Sequence, residues 1–230
     1  MTKAFWNKEY KSGEHLTLST EPSSDLLTFV RWAERNSEWP AFPKHGFILD
    51  VGCGNGRNII ALAKEAGMKG YGFDISGEAI NQAKKAASNL DITFETRSVS
   101  EPLPLADESV DVVLDMMTSH FLRKDERQKY LEELVRVMKP YGWLFFKSFL
   151  LDGDQNAHRM IAEHPAGEEN SYIHPRIGVY EHVWTEGELV DFFSPYFKIH
   201  KMIKSYKHVI DGKAWKRRTI SLYLEKKRDY

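Results

Sequence analysis

Three glycines at alternate positions, Gly52, Gly54 and Gly56, follow Asp50 between two apolar runs in FILDVGCGNGRNIIALAKEAG. Glycine reaches positive φ without strain, and its missing Cβ lets a ligand lie against the main chain. A helix starts directly after the loop, so free N–H groups and a partial positive charge suit an anionic group there. The spacing separates cofactors. A dinucleotide fingerprint, G-x-G-x-x-G, asks for a glycine at position 57 to pack helix on strand, and Arg57 stands there instead. The pattern present is D-x-G-x-G-x-G. Asp74 lies 18 positions after Gly56, near the offset of roughly 20 at which an acid accepts hydrogen bonds from ribose hydroxyls. A carboxylate has acceptors enough for both hydroxyls of a diol. Asp74 also fits a turn or a helix cap, although Ser76 already supplies a cap.

Such a loop needs a buried strand before it and a helix after it. The spacing predicts a strand over 47–51, a helix over 58–66 ended by Gly67, and a second strand over 69–73. Ser76 caps a helix running to about 89, a third strand covers 92–96, and a nearly all-apolar fourth covers 110–116. A helix over 125–138 is closed by Pro140 and Gly142, and a fifth strand follows over 143–149. Regular alternation of apolar strands and helices predicts a doubly wound parallel sheet covered on both faces. Upstream, residues 22–36 read as a helix, with Pro22 suited to its first turn and Leu26, Leu27, Val30 and Ala33 at helical spacing. Downstream, 151–180 is rich in Gly, Pro, Asn and His and reads as a lid-like insertion with a short helix over 157–163. Thr185 and Glu188 form a capping-box pattern. Two strand-like runs, 197–206 and 219–225, flank a hairpin-type turn at Asp211 and Gly212, which predicts antiparallel pairing. The expected organisation is one domain: a helical cap over 1–45, a core over 46–150, the insertion, and a helix and hairpin over 181–230.

LDVGCGNGRN, GFDIS, LPLADESVDVV and VMKPYGWLFF occur in that order. Together they resemble the class I S-adenosylmethionine-dependent methyltransferases, and GCGNGRN is similar to the small-molecule, tellurite-resistance-like branch of that family. The resemblance covers roughly residues 45–150 and extends loosely through the last two strands. It implies a seven-stranded, Rossmann-like sheet with the last strand antiparallel. It implies S-adenosylmethionine as cofactor, held by Asp50, Gly52, Cys53, Gly54, Asp74 and Ile75. Gly56 packs the helix start. Asp50 either attracts the ammonium of the methionine part or ties the loop to backbone amides. Arg57 reads equally as a partner of the cofactor carboxylate and as a solvated arginine. The family meets the adenine amino group with an acid or amide after the third strand; Ser98, Val99 and Ser100 stand there, so the backbone of Val99 and Ser100, or Glu101 reaching back, is expected to serve. Tyr10 is expected at the cofactor carboxylate, Trp6 on the substrate side and Met116 beside the cofactor.

Methyl transfer from a sulfonium needs a nucleophile held in line at about 3 Å and, for some acceptors, removal of a proton. The segment after the fourth strand faces that point. His120 is the candidate base, with an ordinary pKa near physiological pH; a structural histidine closing the strand is the alternative. Asp115 either contacts cofactor or cationic substrate or caps the next turn.

The chain has 230 residues, 42% hydrophobic and 28% charged, with a net charge of −1. Nothing global demands nucleic acid or an anionic membrane. No apolar run reaches the roughly 18–20 residues of a membrane span. Cys53 is the single cysteine, which excludes an internal disulfide. With no signal-like N-terminus, a cytoplasmic setting is the expectation. His158, His164, His174 and His182 lack metal-ligand spacing, so no metal is expected. The acceptor is expected to be a small molecule. The runner-up, RNA, rests on KIHKMIKSYKHV and KAWKRR, which also read as solvated edge strands. A non-catalytic cofactor-binding regulator is a third reading. A nicotinamide dehydrogenase is disfavoured by Arg57.

Overall fold

The computed structural model describes residues 2–13, 18–38, 40–205, 208–210, 213–214 and 216–228. Five parallel strands form most of its main sheet: β1 Phe47–Val51, β2 Lys69–Asp74, β3 Ile92–Thr96, β4 Val110–Met116 and β5 Met138–Phe149. Two further strands, β8 Phe197–Lys204 and β11 Thr219–Lys226, complete the order β3-β2-β1-β4-β5-β11-β8. β11 runs antiparallel to both its neighbours. The chain leaves β1 toward β2 on one side and later returns to β4 on the other. That reversal opens a crevice at the carboxyl ends of β1 and β4, where open α/β sheets bind ligands.

Alternating residues send the sheet's two faces into separate cores. Ile48, Val112, Leu114 and Phe145 pack with helices α2 (Ser24–Asn36), α3 (Arg57–Ala66) and α4 (Gly77–Ala86). Leu49, Val51, Val113, Leu144 and Phe146 pack with α5 (Lys124–Val137) and α7 (Glu186–Phe193). Phe29 of α2 stacks on Phe145 at 5.0 Å. Pro22 lies just outside α2, whose cap is Ser23.

Two local expectations are corrected and a third is extended. α5 runs straight into β5, because Pro140, Tyr141 and Gly142 form a bulge within the strand. Met138 pairs with Val110 and Trp143 with Val112, so the intervening residues loop out opposite Asp111, with Tyr141 at φ 64°. Lys139 Nζ holds both Asp111 oxygens at 2.8 Å. Proline is tolerated there because a bulge needs no ladder donor. The capping box at α7 is half formed: Thr185 Oγ1 accepts the Glu188 amide at 3.1 Å, but Glu188 Oε1 sits 2.7 Å from His182 Nε2 instead of returning to the cap. Finally, the helical cap expected over 1–45 holds, besides the helix expected over 22–36, a second helix that no spacing marked, α1 (Thr2–Ser12).

Between β5 and α7 lie α6 (Gln155–Glu163), capped by Asp154, and an antiparallel pair, β6 (Ser171–Ile173) and β7 (Tyr180–His182). Short strands β9 (Val209–Ile210) and β10 (Lys213–Ala214) pair antiparallel; the turn expected at Asp211 and Gly212 lies outside the described residues. Among the described residues no helix is long and apolar enough to cross a membrane.

Candidate functional site

A cavity of about 550 Å³ fills the crevice, within the ~300–1,000 Å³ range of small-molecule sites. The glycine loop enters its lining through Gly52. Gly52, Gly54 and Gly56 all have positive φ, between 57° and 77°. A Cβ on Gly52 would collide with the Thr118 side chain, and one on Gly54 with the Tyr10 hydroxyl. A Cβ on Gly56 would press at 3.1 Å on Ala83, Ile60 and Phe94, so this glycine sets the packing of helix on sheet. The loop thus holds its shape through glycine and is pressed from above by Tyr10 and Thr118.

Asp74 ends β2 at the cavity wall. Its Oδ2 accepts the Gly54 amide at 3.0 Å and its Oδ1 the Ser76 amide at 2.8 Å. Burial pushes its carboxyl up, while those two amides pull it back. Ile75, Val99, Ser100 and Met116 line the same cavity. Glu101 does not reach back into it: its carboxylate accepts the Ser98 amide at 3.0 Å and lies 3.3 Å from Arg97.

Helix α1 closes one side. Asn7 Oδ1 accepts from Ser76 Oγ at 2.9 Å and from the Glu78 amide at 3.3 Å. Gln82 Nε2 donates to the Tyr10 carbonyl at 2.7 Å. These bonds dock α1 on the start of α4 and bring Trp6 and Tyr10, one helical turn apart, to the cavity wall. Burial, with Asp74 close by, raises the Tyr10 hydroxyl well above its ordinary value.

Several expected site residues stand elsewhere. His120 is 1% exposed and does not line the cavity. Its ring packs against Phe121 at 4.0 Å and Phe149 at 5.2 Å, and Phe121 presents the wall in its place. Burial, with Arg217 and His182 nearby, drives its pKa down to about 3. Its ring lies behind the cavity wall, the structural position given above as the alternative. Asp115 is fully buried, accepting from the Ser119 amide at 3.2 Å and the Tyr130 hydroxyl at 3.1 Å; it braces the turn after β4 rather than facing a ligand. Arg57 turns away and donates to the Glu21 carbonyl at 2.9 Å, so it fastens the segment between α1 and α2. Cys53 is buried within the loop, its thiol raised well above the ordinary value by burial. Asp50 also lies under the loop. Its Oδ2 has no hydrogen-bond partner among the described residues. Burial, with Asp74 and Asp115 adding to it against the Ile59 amide, pushes its pKa up to about 8.

The segment after β4 was expected at this point, and its Met117, Thr118 and Phe121 line the opposite wall; sequence reasoning missed Leu122, Arg123 and Glu126 at the start of α5, and Tyr180 of β7. Tyr180 carried no local signal; only the folded hairpin brings it there. Among the described residues no three His, Cys, Asp or Glu side chains converge as metal ligands.

Residues 48–142, the span holding the glycine loop and Asp74, match the model of a methyltransferase domain. A solved S-adenosylmethionine-dependent methyltransferase from Methanosarcina mazei superposes with a TM-score of 0.67 at 25% identity, over 81% of this chain and 95% of that one. Residues 48–142 form an S-adenosylmethionine-dependent methyltransferase domain. The tRNA N(3)-methylcytidine methyltransferase of Schizosaccharomyces pombe is 32% identical over 66% of this chain and 51% of its own length. The 27-O-demethylrifamycin SV methyltransferase of Amycolatopsis mediterranei is 32% identical over 45% of this chain and 39% of its own. The chain spans about half or less of the length of these curated relatives.

The methyltransferase domain's cavity suits the cofactor. A carboxylate at the wall beside a glycine loop fits a nucleoside sugar. An orphaned buried carboxyl oxygen on Asp50, just below, fits a nearby positive charge.

Proposed function

We propose that the chain transfers the methyl group of S-adenosylmethionine to a small molecule, as in the small-molecule branch that its glycine loop resembles. The observation that carries this reading is the single cavity shared by Asp74 and an aromatic wall of Trp6, Phe121 and Tyr180. When bound, S-adenosylmethionine supplies a methyl group on a positively charged sulfur, open to in-line displacement. Asp74 accepts from the ribose hydroxyls. Ile75 and Val99 offer apolar surface to the adenine. Tyr10 stands over Gly54 at the amino-acid end, and Asp50 beneath the loop, protonated in the free chain, releases its proton to solvent as the ammonium binds and then balances that charge. Trp6, Phe121 and Leu122 exclude water from the acceptor end, which strengthens electrostatic interactions inside.

A small acceptor is favoured over RNA because the cationic side chains at the cavity already face carboxylates. Arg97 lies 3.4 Å from Glu95 and 3.3 Å from Glu101, and Arg123 lies 3.5 Å from Glu168. Their charge is already largely balanced, whereas a nucleic-acid backbone calls for a run of unbalanced cations. The test begins with calorimetry of S-adenosylhomocysteine, for which binding is expected. Turnover of labelled S-adenosylmethionine is then followed in a low-molecular-weight cell extract and in total tRNA. Label entering tRNA but not the small-molecule fraction would overturn the acceptor class.

A further inference from the structure

Resting on that reading, we propose that the acceptor is an aromatic carboxylate and that Arg123 is the residue that selects it. Among the described residues four charged side chains line the cavity: Asp74, Arg97, Arg123 and Glu126. Asp74 is committed to the glycine loop and the sugar. Arg97 is occupied, by Glu95 and Glu101 and by the Pro102 carbonyl at 2.9 Å. Glu126 Oε2 accepts the Arg123 amide at 2.8 Å.

Arg123 differs. Its Nη1 donates to the Ala166 carbonyl at 3.1 Å and lies 3.5 Å from Glu168 Oε1. Its Nε and Nη2 make no hydrogen bond among the described residues. Glu168 is itself shared, accepting the Tyr180 hydroxyl at 2.6 Å and the Lys124 amide at 3.1 Å. The guanidinium lies over the Tyr180 ring at 4.4 Å, and its side chain is 48% exposed. Guanidinium is planar and presents its donors as a fixed fork. Contact with the Tyr180 ring and the bond to the Ala166 carbonyl hold that group in place, and the free Nε–Nη2 edge matches the two oxygens of a carboxylate. Next to it stand Trp6 and Phe121, in edge-to-face contact at 5.7 Å, with Leu122 and Met117 beside them. Such walls suit a flat apolar body. An aromatic ring between these walls with its carboxylate on Arg123 satisfies both features.

Benzoate and its neutral isostere benzamide serve as probes, titrated by NMR into the full chain saturated with S-adenosylhomocysteine. Benzoate is expected to bind at least tenfold more tightly. Arg123→Met, which keeps an unbranched side chain against Tyr180, is expected to erase that preference, and Arg123→Lys, with charge but no fork, to retain part of it. Thermal unfolding checks that each variant is folded. Equal affinities in the parent, no binding of either probe, or a preference that survives in Arg123→Met would overturn the assignment. Failure of S-adenosylhomocysteine itself to bind counts against the methyltransferase reading instead.

Discussion

Asp74 Oδ2 accepts the Gly54 amide at 3.0 Å, so the last carboxylate of β2 and the middle glycine of the loop after β1 form one unit. The same side chain shapes the loop and lines the cavity, where the proposed function puts the ribose. Removing it removes both roles. Asp74→Ala is expected to weaken S-adenosylhomocysteine binding roughly 10- to 100-fold, from hydrogen bonds to a charged group worth about 1.5–3 kcal/mol. Asp74→Asn keeps one acceptor oxygen and should lose less. Calorimetry on both variants checks this, and affinity within twofold of the parent for Asp74→Ala would refute the sugar-binding role.

Gly54 is tested from the other side. At φ 57°, and with the Tyr10 hydroxyl where a Cβ would stand, alanine is strained and obstructed together. Gly54→Ala is expected to cost about 1–3 kcal/mol of stability and to push α1 off α4. Hydrogen exchange should then quicken at the amides of α1 while the central strands keep their protection. Unchanged protection of α1 would mean that Tyr10 moves aside freely.

The sheet was legible because its signals are local: apolar strands, capping Ser76 and glycines at fixed offsets sit within a few residues of what they determine. Asp74 was legible for the same reason, as an offset along one βαβ unit. The failures are tertiary. His120 has the right type and the right place in the chain, but Phe149 and Phe121 enclose it. Arg57 looked equally ready for a ligand and for solvent, yet its partner is a carbonyl 36 residues upstream. Pro140 and Gly142 read as a helix stop because a bulge opposite Asp111 depends on the neighbouring strand. Tyr180 reaches the cavity, and Arg123 at the start of α5 finds its contacts, through an insertion whose path no periodicity discloses.

Burial of Asp50 and His120 predicts a pH dependence with opposite signs. The Asp50 pKa rises from 3.8 to about 8 in the folded chain. Between those values the folded state holds a proton that the unfolded state has lost, so stability falls as pH rises, by up to about 1.4 kcal/mol per unit. The His120 pKa falls from 6.5 to about 3. Between those values the unfolded state holds the extra proton, and stability rises with pH. The two oppose each other from about 4 to 6.5, leaving Asp50 to act alone of the pair between 6.5 and 8. Denaturant midpoints should fall across that upper window in the parent and fall less in Asp50→Asn. Identical slopes would remove the Asp50 shift. NMR of the His120 ring should show a neutral imidazole from pH 5 to 8; a titration midpoint near 6.5 would restore it as a candidate base.

Arg217 gives the last prediction. Its Nε bonds Asp154 Oδ2 at 3.1 Å, its Nη1 lies 3.5 Å from Glu181 and donates to the Tyr172 hydroxyl, and its guanidinium covers Phe149 at 4.2 Å. Asp154, Tyr172 and Glu181 lie between β5 and α7, Phe149 at the end of β5. Arg217 therefore binds the segment before β11 to the elements that hold Tyr180 at the cavity. Asp154 and Glu181 are buried, so losing their cation leaves two carboxylates uncompensated. Arg217→Met is expected to destabilise by roughly 3–5 kcal/mol, the range for breaking a buried pair from one side. Adding Glu181→Gln removes one stranded charge and should recover part of the loss. Chemical denaturation of the single and double variants measures both steps. A double variant no more stable than Arg217→Met alone would show that the arginine acts through packing on Phe149 rather than through charge.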